Sequence, residues 1–199
     1  MKLKSAGFEV HAFSLIEIEE VVFVLPKFEF DWIFLASSNA AKTFLPSYSS
    51  SVKIATAGPA TAKAVKNLGY EVSFTGSGGD MIEVGKQFAK EVGTANVLFP
   101  CAEGRSKKIQ LQLQAEQVID LPIYRTIAKQ DVEIPDTDIV FLSSPSNAKA
   151  YIENLELTGK ITIAIGQTTK EFLIENGIEN ILVPETPEPG SILDLILSL

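Results

Sequence analysis

DWIFLASSNAAKTF, Asp31 to Phe44, returns as DIVFLSSPSNAKAY, Asp138 to Tyr151, without a gap and at an offset of 107 residues. A second match follows: VKIATAGPATAKAVKNLG (Val52 to Gly69) against KITIAIGQTTKEFLIENG (Lys160 to Gly177), at an offset of 108. Each block runs apolar strand, small-polar turn, helical pattern. WIFLA, IVFL and ITIAI are short, near-continuous apolar runs, the pattern of parallel strands buried on both faces. KIATA is a weaker strand signal, diluted by alanine and threonine. Ser37-Ser38-Asn39, Ser144-Pro145-Ser146 and Thr168-Thr169 stand where a helix N-cap belongs, with side-chain oxygens able to accept free N–H groups. Gly69 and Gly177 fall where a helix ends and a strand begins. Strand, turn and helix repeated in this order predict βαβ units and an α/β fold of two similar lobes with parallel sheets.

Working outward from the repeats, Val24 to Phe30 (VLPKFEF) and Ile119 to Thr126 (IDLPIYRT) each place a proline between apolar residues. They read as two extended linkers, near 24–30 and 119–124. The expected division is an inserted lobe over 31–118 and a discontinuous lobe made of 1–25 plus 122–199, with a cleft between them. Two linking strands permit closure on a ligand. Met1 to Gly7 reads as the tail of a helix with no strand before it.

Composition narrows the function. Hydrophobic residues make up 46% and charged residues 21%, the balance of a globular protein. No apolar run approaches the ~18 residues of a membrane span, and the start lacks an apolar signal core. Together with the single cysteine, Cys101, which has no intramolecular disulfide partner, these features place the expected location in the cytoplasm. One histidine and one cysteine make a zinc site improbable, because such sites use three or four nitrogen or sulfur ligands. A net charge of −8 argues against non-specific nucleic-acid binding, which depends on Lys and Arg neutralising phosphates. It leaves room for a small anion held by a local cluster of donors.

Ligands of open parallel sheets sit beyond the carboxyl ends of the strands, where the first turns of the next helices present unpaired N–H groups. Four such turns are readable: Ser37-Ser38-Asn39, Gly58-Pro59-Ala60-Thr61, Ser144-Pro145-Ser146 and Gly166-Gln167-Thr168-Thr169. They fit carboxylates or phosphates; the plainer reading is that these residues only cap helices. His11, in the alternating strand pattern FEVHAF, reads as structural. Cys101 reads as a small buried residue, since no second histidine exists to activate it. Tyr124, in the second linker, either packs there as an amphipathic side chain or points into a cleft. Arg105, Lys107 and Lys108 follow the strand VLFP and form either a solvated helix start or a cationic wall. Gly76-Ser77-Gly78-Gly79 lacks both the P-loop lysine and dinucleotide spacing, and reads as a flexible turn.

Taken in order, FLASSNAAKTF, ATAGPATAKAVKNLGY, LFPCAEGRSKK, LPIYRT, FLSSPSNAKAY, IAIGQTTKEFLIENGI and PETPEPGSILDLI resemble the uroporphyrinogen-III synthase family, from about Phe8 to the end. Each motif is weak alone; the ordered set is specific. The resemblance implies two α/β lobes around a substrate cleft and a lyase reaction with no metal and no organic cofactor. Hydroxymethylbilane, which carries an acetate and a propionate on every ring, is cyclised with inversion of ring D, losing water. It also implies functional coupling to hydroxymethylbilane synthase, and the chain is expected to act as a monomer. By similarity Tyr124 is the candidate to assist departure of the hydroxyl, since a phenol can donate that hydrogen bond without itself ionising. Thr61, Ser144, Thr168 and Thr169 match family positions lining the cleft; with Ser37, Ser38, Asn39 and Ser146 from the turns above they are the expected substrate-binding positions, largely through backbone N–H groups. Gln167 departs from the proline usual in the family. A strand with an Arg-containing turn normally precedes the first helix, and the chain is expected to start after it. The competing expectation is a non-catalytic, two-lobed module for a small anion.

Overall fold

The computed structural model describes residues 2–12, 14–48, 51–129 and 132–199. The chain divides into two compact units, Met1–Glu17 with Ile127–Leu199, and Ile18–Thr126. Two strands run across the division, β1 (Ile16–Glu20) and β6 (Val118–Ala128). Both segments expected as linkers fall inside the second unit. Residues 119–124 belong to β6, and Phe30 of the 24–30 segment packs against that unit's core.

In the second unit the strands β2 (Trp32–Leu35), β3 (Lys53–Thr56), β4 (Phe74–Thr75), β5 (Val97–Ala102) and β6 join β1 in one sheet, ordered β1-β6-β5-β2-β3-β4. The β2–β3, β3–β4, β2–β5 and β5–β6 pairs are all parallel. Burial on both faces explains why WIFL reads as an unbroken apolar run: all four residues are buried. Ile33 and Leu35 enter one cluster with Ala40, Ala41 and Phe44 of helix α2 (Ser38–Phe44) and Val65 of α3 (Pro59–Asn67). Trp32 and Phe34 enter another around Phe88 of α4 (Met81–Val92). Successive side chains of a strand point to opposite faces, so one short segment feeds both cores.

The first unit holds α1 (Lys2–Ser5), a parallel pair β7 (Ile139–Leu142) and β8 (Ile161–Ala164), and helices α5 (Pro145–Ile152), α6 (Gln167–Glu175) and α7 (Pro189–Leu197). A parallel bridge from Ile163 to Leu182 extends the sheet. Its core gathers Leu15, Val140, Leu142, Tyr151 and Leu173. The alternating segment FEVHAF forms no strand over residues 8–12, a correction to the sequence reading; Phe13 lies outside the described residues. A strand needs a hydrogen-bonded neighbour. Here Phe8 and Val10 line one wall of a cavity of about 690 Å³ that β7 also lines. His11 accordingly is exposed, and its Nε2 meets Glu9 Oε1 at 3.1 Å.

The repeat is visible in local geometry. Ser37 and Ser144 cap α2 and α5, accepting the N–H groups of Ala40 and Asn147 at 3.1 Å each. Gly58 and Gly166 occupy the N-caps of α3 and α6, both in extended backbone. Thr168 and Thr169, expected at the cap, lie inside α6, because Gly166 already provides the extended residue from which the helix starts. Gly69 and Gly177 end α3 and α6 at φ of +86° and +80°, a left-handed conformation that costs glycine nothing.

Candidate functional site

Strand order marks the candidate site of the second unit. From β2 the chain moves to β3 and β4 on one side, then returns to β5 on the other. The carboxyl ends of β2 and β5 therefore flank the point where the winding reverses, the usual crevice of an open α/β sheet. Ser37 follows the end of β2, and Tyr124 on β6 stands opposite Ala102, the last residue of β5.

An irregularity aims Tyr124 there. Cys101 pairs with Pro122 but Ala102 pairs with Tyr124, so Ile123 is an extra residue in β6. Pro122 has no N–H to give the ladder, which makes this the natural place for a break. In a regular strand Ile123 and Tyr124 face opposite ways. With the extra residue, both join Leu121 in the cluster beneath α2. Bulges of this kind re-aim side chains. The Tyr124 hydroxyl consequently reaches Ser37 Oγ at 3.0 Å, across 87 residues of chain. Tyr124 is only 6% exposed, so its ring is fixed by packing and its hydroxyl by this bond.

Earlier on β6 stands a charged group that sequence reasoning missed. Asp120 Oδ2 takes Lys107 Nζ at 2.8 Å, while its Oδ1 accepts from Gln110 Nε2 at 2.9 Å and lies 3.6 Å from Arg105 Nη2. The hydrogen bond to Asp120 holds the Lys107 ammonium above the usual lysine range, with charge attraction adding to it. Arg105 also stacks near Phe99, 5.6 Å from the ring centroid. Arg105 and Lys107 thus share a counter-ion instead of forming a bare cationic wall. Asp120 stands in the apolar IDLP stretch, and only its isolation there marked it out.

The remaining candidates divide by unit. In the second, Ser38 opens α2, Asn39 is exposed, and Thr61 is buried at 7% in the first turn of α3. In the first, Ser144 Oγ is occupied by two donors of Asn147, its N–H and its Nδ2, both at 3.1 Å. Ser146 is half-buried, Thr168 exposed and Thr169 buried at 2%. The burial of Thr61 and Thr169 leaves their turns to offer backbone N–H groups. The first unit's cavity is lined by none of these residues. Cys101 is buried. Among the described residues no group of three or more His, Cys, Asp or Glu side chains is placed to hold a metal ion. Among them, too, no helix is long and apolar enough to cross a membrane.

The family model for uroporphyrinogen-III synthase HemD matches residues 1–194. The chain belongs to the uroporphyrinogen-III synthase family. A chloroplastic uroporphyrinogen-III synthase from Oryza sativa subsp. japonica is 28% identical over 190 residues, which cover 82% of this chain and 62% of the rice protein. The chain thus spans less than two thirds of that curated relative. Among solved structures, uroporphyrinogen-III synthetase from Helicobacter pylori 26695 superposes with a TM-score of 0.73 at 21% identity, covering 92% of this chain and 90% of its own. A mutant uroporphyrinogen III synthase from the extremely thermophilic bacterium Thermus thermophilus gives 0.61 at 15% identity, covering 98% and 91%. At these identities the solved family members share the α/β fold.

Proposed function

We propose that the chain is a uroporphyrinogen-III synthase, a lyase that cyclises hydroxymethylbilane to uroporphyrinogen III with inversion of ring D and loss of water. Family membership supports the reaction class. The observation that carries the reading to residues is the Tyr124 hydroxyl, turned by a bulge toward the carboxyl ends of β2 and β5 and held there by Ser37.

The chemistry asks chiefly for a proton donor and for control of shape. Tyr124 donates its proton to the departing hydroxyl, which leaves as water, and a cation remains on the terminal methylene-pyrrole. Ring closure at the substituted carbon, rearrangement and loss of a ring-carbon proton then restore the phenol, so no net proton is consumed. Closure without inversion needs little help, which makes holding the chain in one conformation the larger task. The turns at Ser37-Ser38-Asn39, Gly58 to Thr61, Ser144 to Ser146 and Gly166 to Thr169 supply N–H donors for the carboxylates of the substrate. The same reading has the chain acting without metal or organic cofactor, as a monomer in the cytoplasm, on substrate delivered by a hydroxymethylbilane synthase. The test is a coupled assay with that synthase, separating the isomers after oxidation. Type III product supports the reading; type I alone overturns it.

A further inference from the structure

We infer that the Ser37 hydroxyl positions Tyr124 and is not itself a ligand of the substrate. This inference rests on the cyclase reading above. Ser37 Oγ already accepts the Ala40 N–H at 3.1 Å, and it lies 3.0 Å from the Tyr124 hydroxyl. One lone pair is thereby used at the start of α2, and of the two hydroxyl protons able to make the Ser37–Tyr124 bond we assign the serine's. A hydroxyl that accepts from an amide becomes a better donor, because hydrogen bonds in a chain polarise one another. The order assigned is therefore Ala40 N–H to Ser37 Oγ, then Ser37 O–H to the Tyr124 oxygen. The tyrosine's own proton is left pointing away from Ser37, available to the substrate.

That order does two things. It prevents Tyr124 from spending its proton on Ser37, the arrangement that would disable it as an acid. It also places a donor against the oxygen on which negative charge builds as the proton departs, and hydrogen bonds to charged acceptors are the stronger kind. The support is rigid: Ala40 and Ala41 are buried, and the Tyr124 ring packs in the same cluster. Ser37 cannot turn away without giving up the cap of α2.

The experiment uses the full chain in the coupled assay, with kcat and KM measured separately. Ser37→Ala is expected to lower kcat by about 10- to 100-fold, the scale of one lost hydrogen bond to a charged group, with KM within about twofold. Ser37→Thr, which keeps hydroxyl and cap, restores kcat. Ser37→Gly, the residue that stands at the N-caps of α3 and α6, removes the hydroxyl and brings no other donor; it holds the thermal unfolding midpoint near wild type while leaving kcat low, which separates cap from phenol. The double variant Ser37→Ala/Tyr124→Phe turns over no slower than Tyr124→Phe alone, because both substitutions remove one unit. The inference is overturned if Ser37→Ala raises KM alone, if Ser37→Gly is fully active, or if the two losses multiply. Those outcomes, with wild type active and Tyr124→Phe slow, sink the role of Ser37 and leave the cyclase reading standing. A wild-type chain that gives no type III product removes both.

Discussion

Asn147 Oδ1 accepts the Leu15 N–H at 3.1 Å, joining residues 132 apart in sequence. Leu15 is buried in the first unit's core, and the same asparagine donates from Nδ2 to Ser144, the cap of α5. The bond fixes where the chain turns into β1, two residues before it leaves this unit. Replacing Asn147 by Leu strands a part-buried N–H, at a cost of about 1–3 kcal/mol. A lower denaturation midpoint for Asn147→Leu is the expected result; an unchanged one removes the bond from the stability of this unit.

The Asp136–Lys160 ion pair predicts a pH window. A hydrogen bond from Lys160, reinforced by its charge, holds the Asp136 carboxyl below the usual carboxylate value, and Lys160 is raised in return, chiefly by the bond to Asp136. Lys160 also donates to the Thr137 carbonyl at 2.8 Å. The lowered carboxyl stabilises the fold above its ordinary value near 3.8, and that contribution is lost as pH falls through the lower folded value. The raised ammonium stabilises fully below 10.5 and is lost as pH climbs through the higher folded value. The difference in unfolding temperature between wild type and Asp136→Asn is therefore small but constant around neutrality, and shrinks in acid. Asp136 is well exposed, which keeps the effect modest. A difference that persists unchanged in strong acid contradicts the assignment.

Gly76 is needed for room. A Cβ there lies 2.6 Å from Val84 Cγ1 and 2.7 Å from the Ala57 carbonyl oxygen. Val84 is fully buried and the carbonyl belongs to the segment leading into α3, so neither can yield freely. Gly76→Ala should cost about 1–3 kcal/mol. Gly190, in the first turn of α7 with nothing near its Cβ position, is the contrast. Gly190→Ala should be neutral or gain up to about 1 kcal/mol. Chemical denaturation of the two variants checks both signs.

Much of this architecture was legible because the repeat pairs physical signals. Trp32–Leu35 and Ile139–Leu142 announce themselves as strands through continuous apolarity, and Ser37, Ser144, Gly69 and Gly177 mark helix ends through capping and left-handed backbone. The misreadings come where a partner decides the outcome. FEVHAF has the right period for a strand, yet residues 8–12 form none, because pairing is a property of two segments and sequence shows one. IDLPIYRT reads as an extended linker because proline interrupts it; it lies in β6, which crosses the division between the units, but sequence does not show that its proline breaks the ladder there and brings Tyr124 round. Tyr124 itself is identifiable from resemblance, but its bond to Ser37 is not, since nothing local connects residues 87 apart. Asp120 escapes for the same reason: its significance comes from Arg105, Lys107 and Gln110 across the turn.

In the proposed cyclisation the Tyr124 hydroxyl supplies the proton that lets the substrate's hydroxyl leave as water. Tyr124→Phe keeps the packed ring and removes only that group. The direct measurement is the rate of type III product formation by wild type and Tyr124→Phe at equal concentrations of folded protein, with hydroxymethylbilane generated in place. The expected fall is about 10²-fold, the scale of losing general-acid assistance, with the residual product still type III. Equal rates would contradict it.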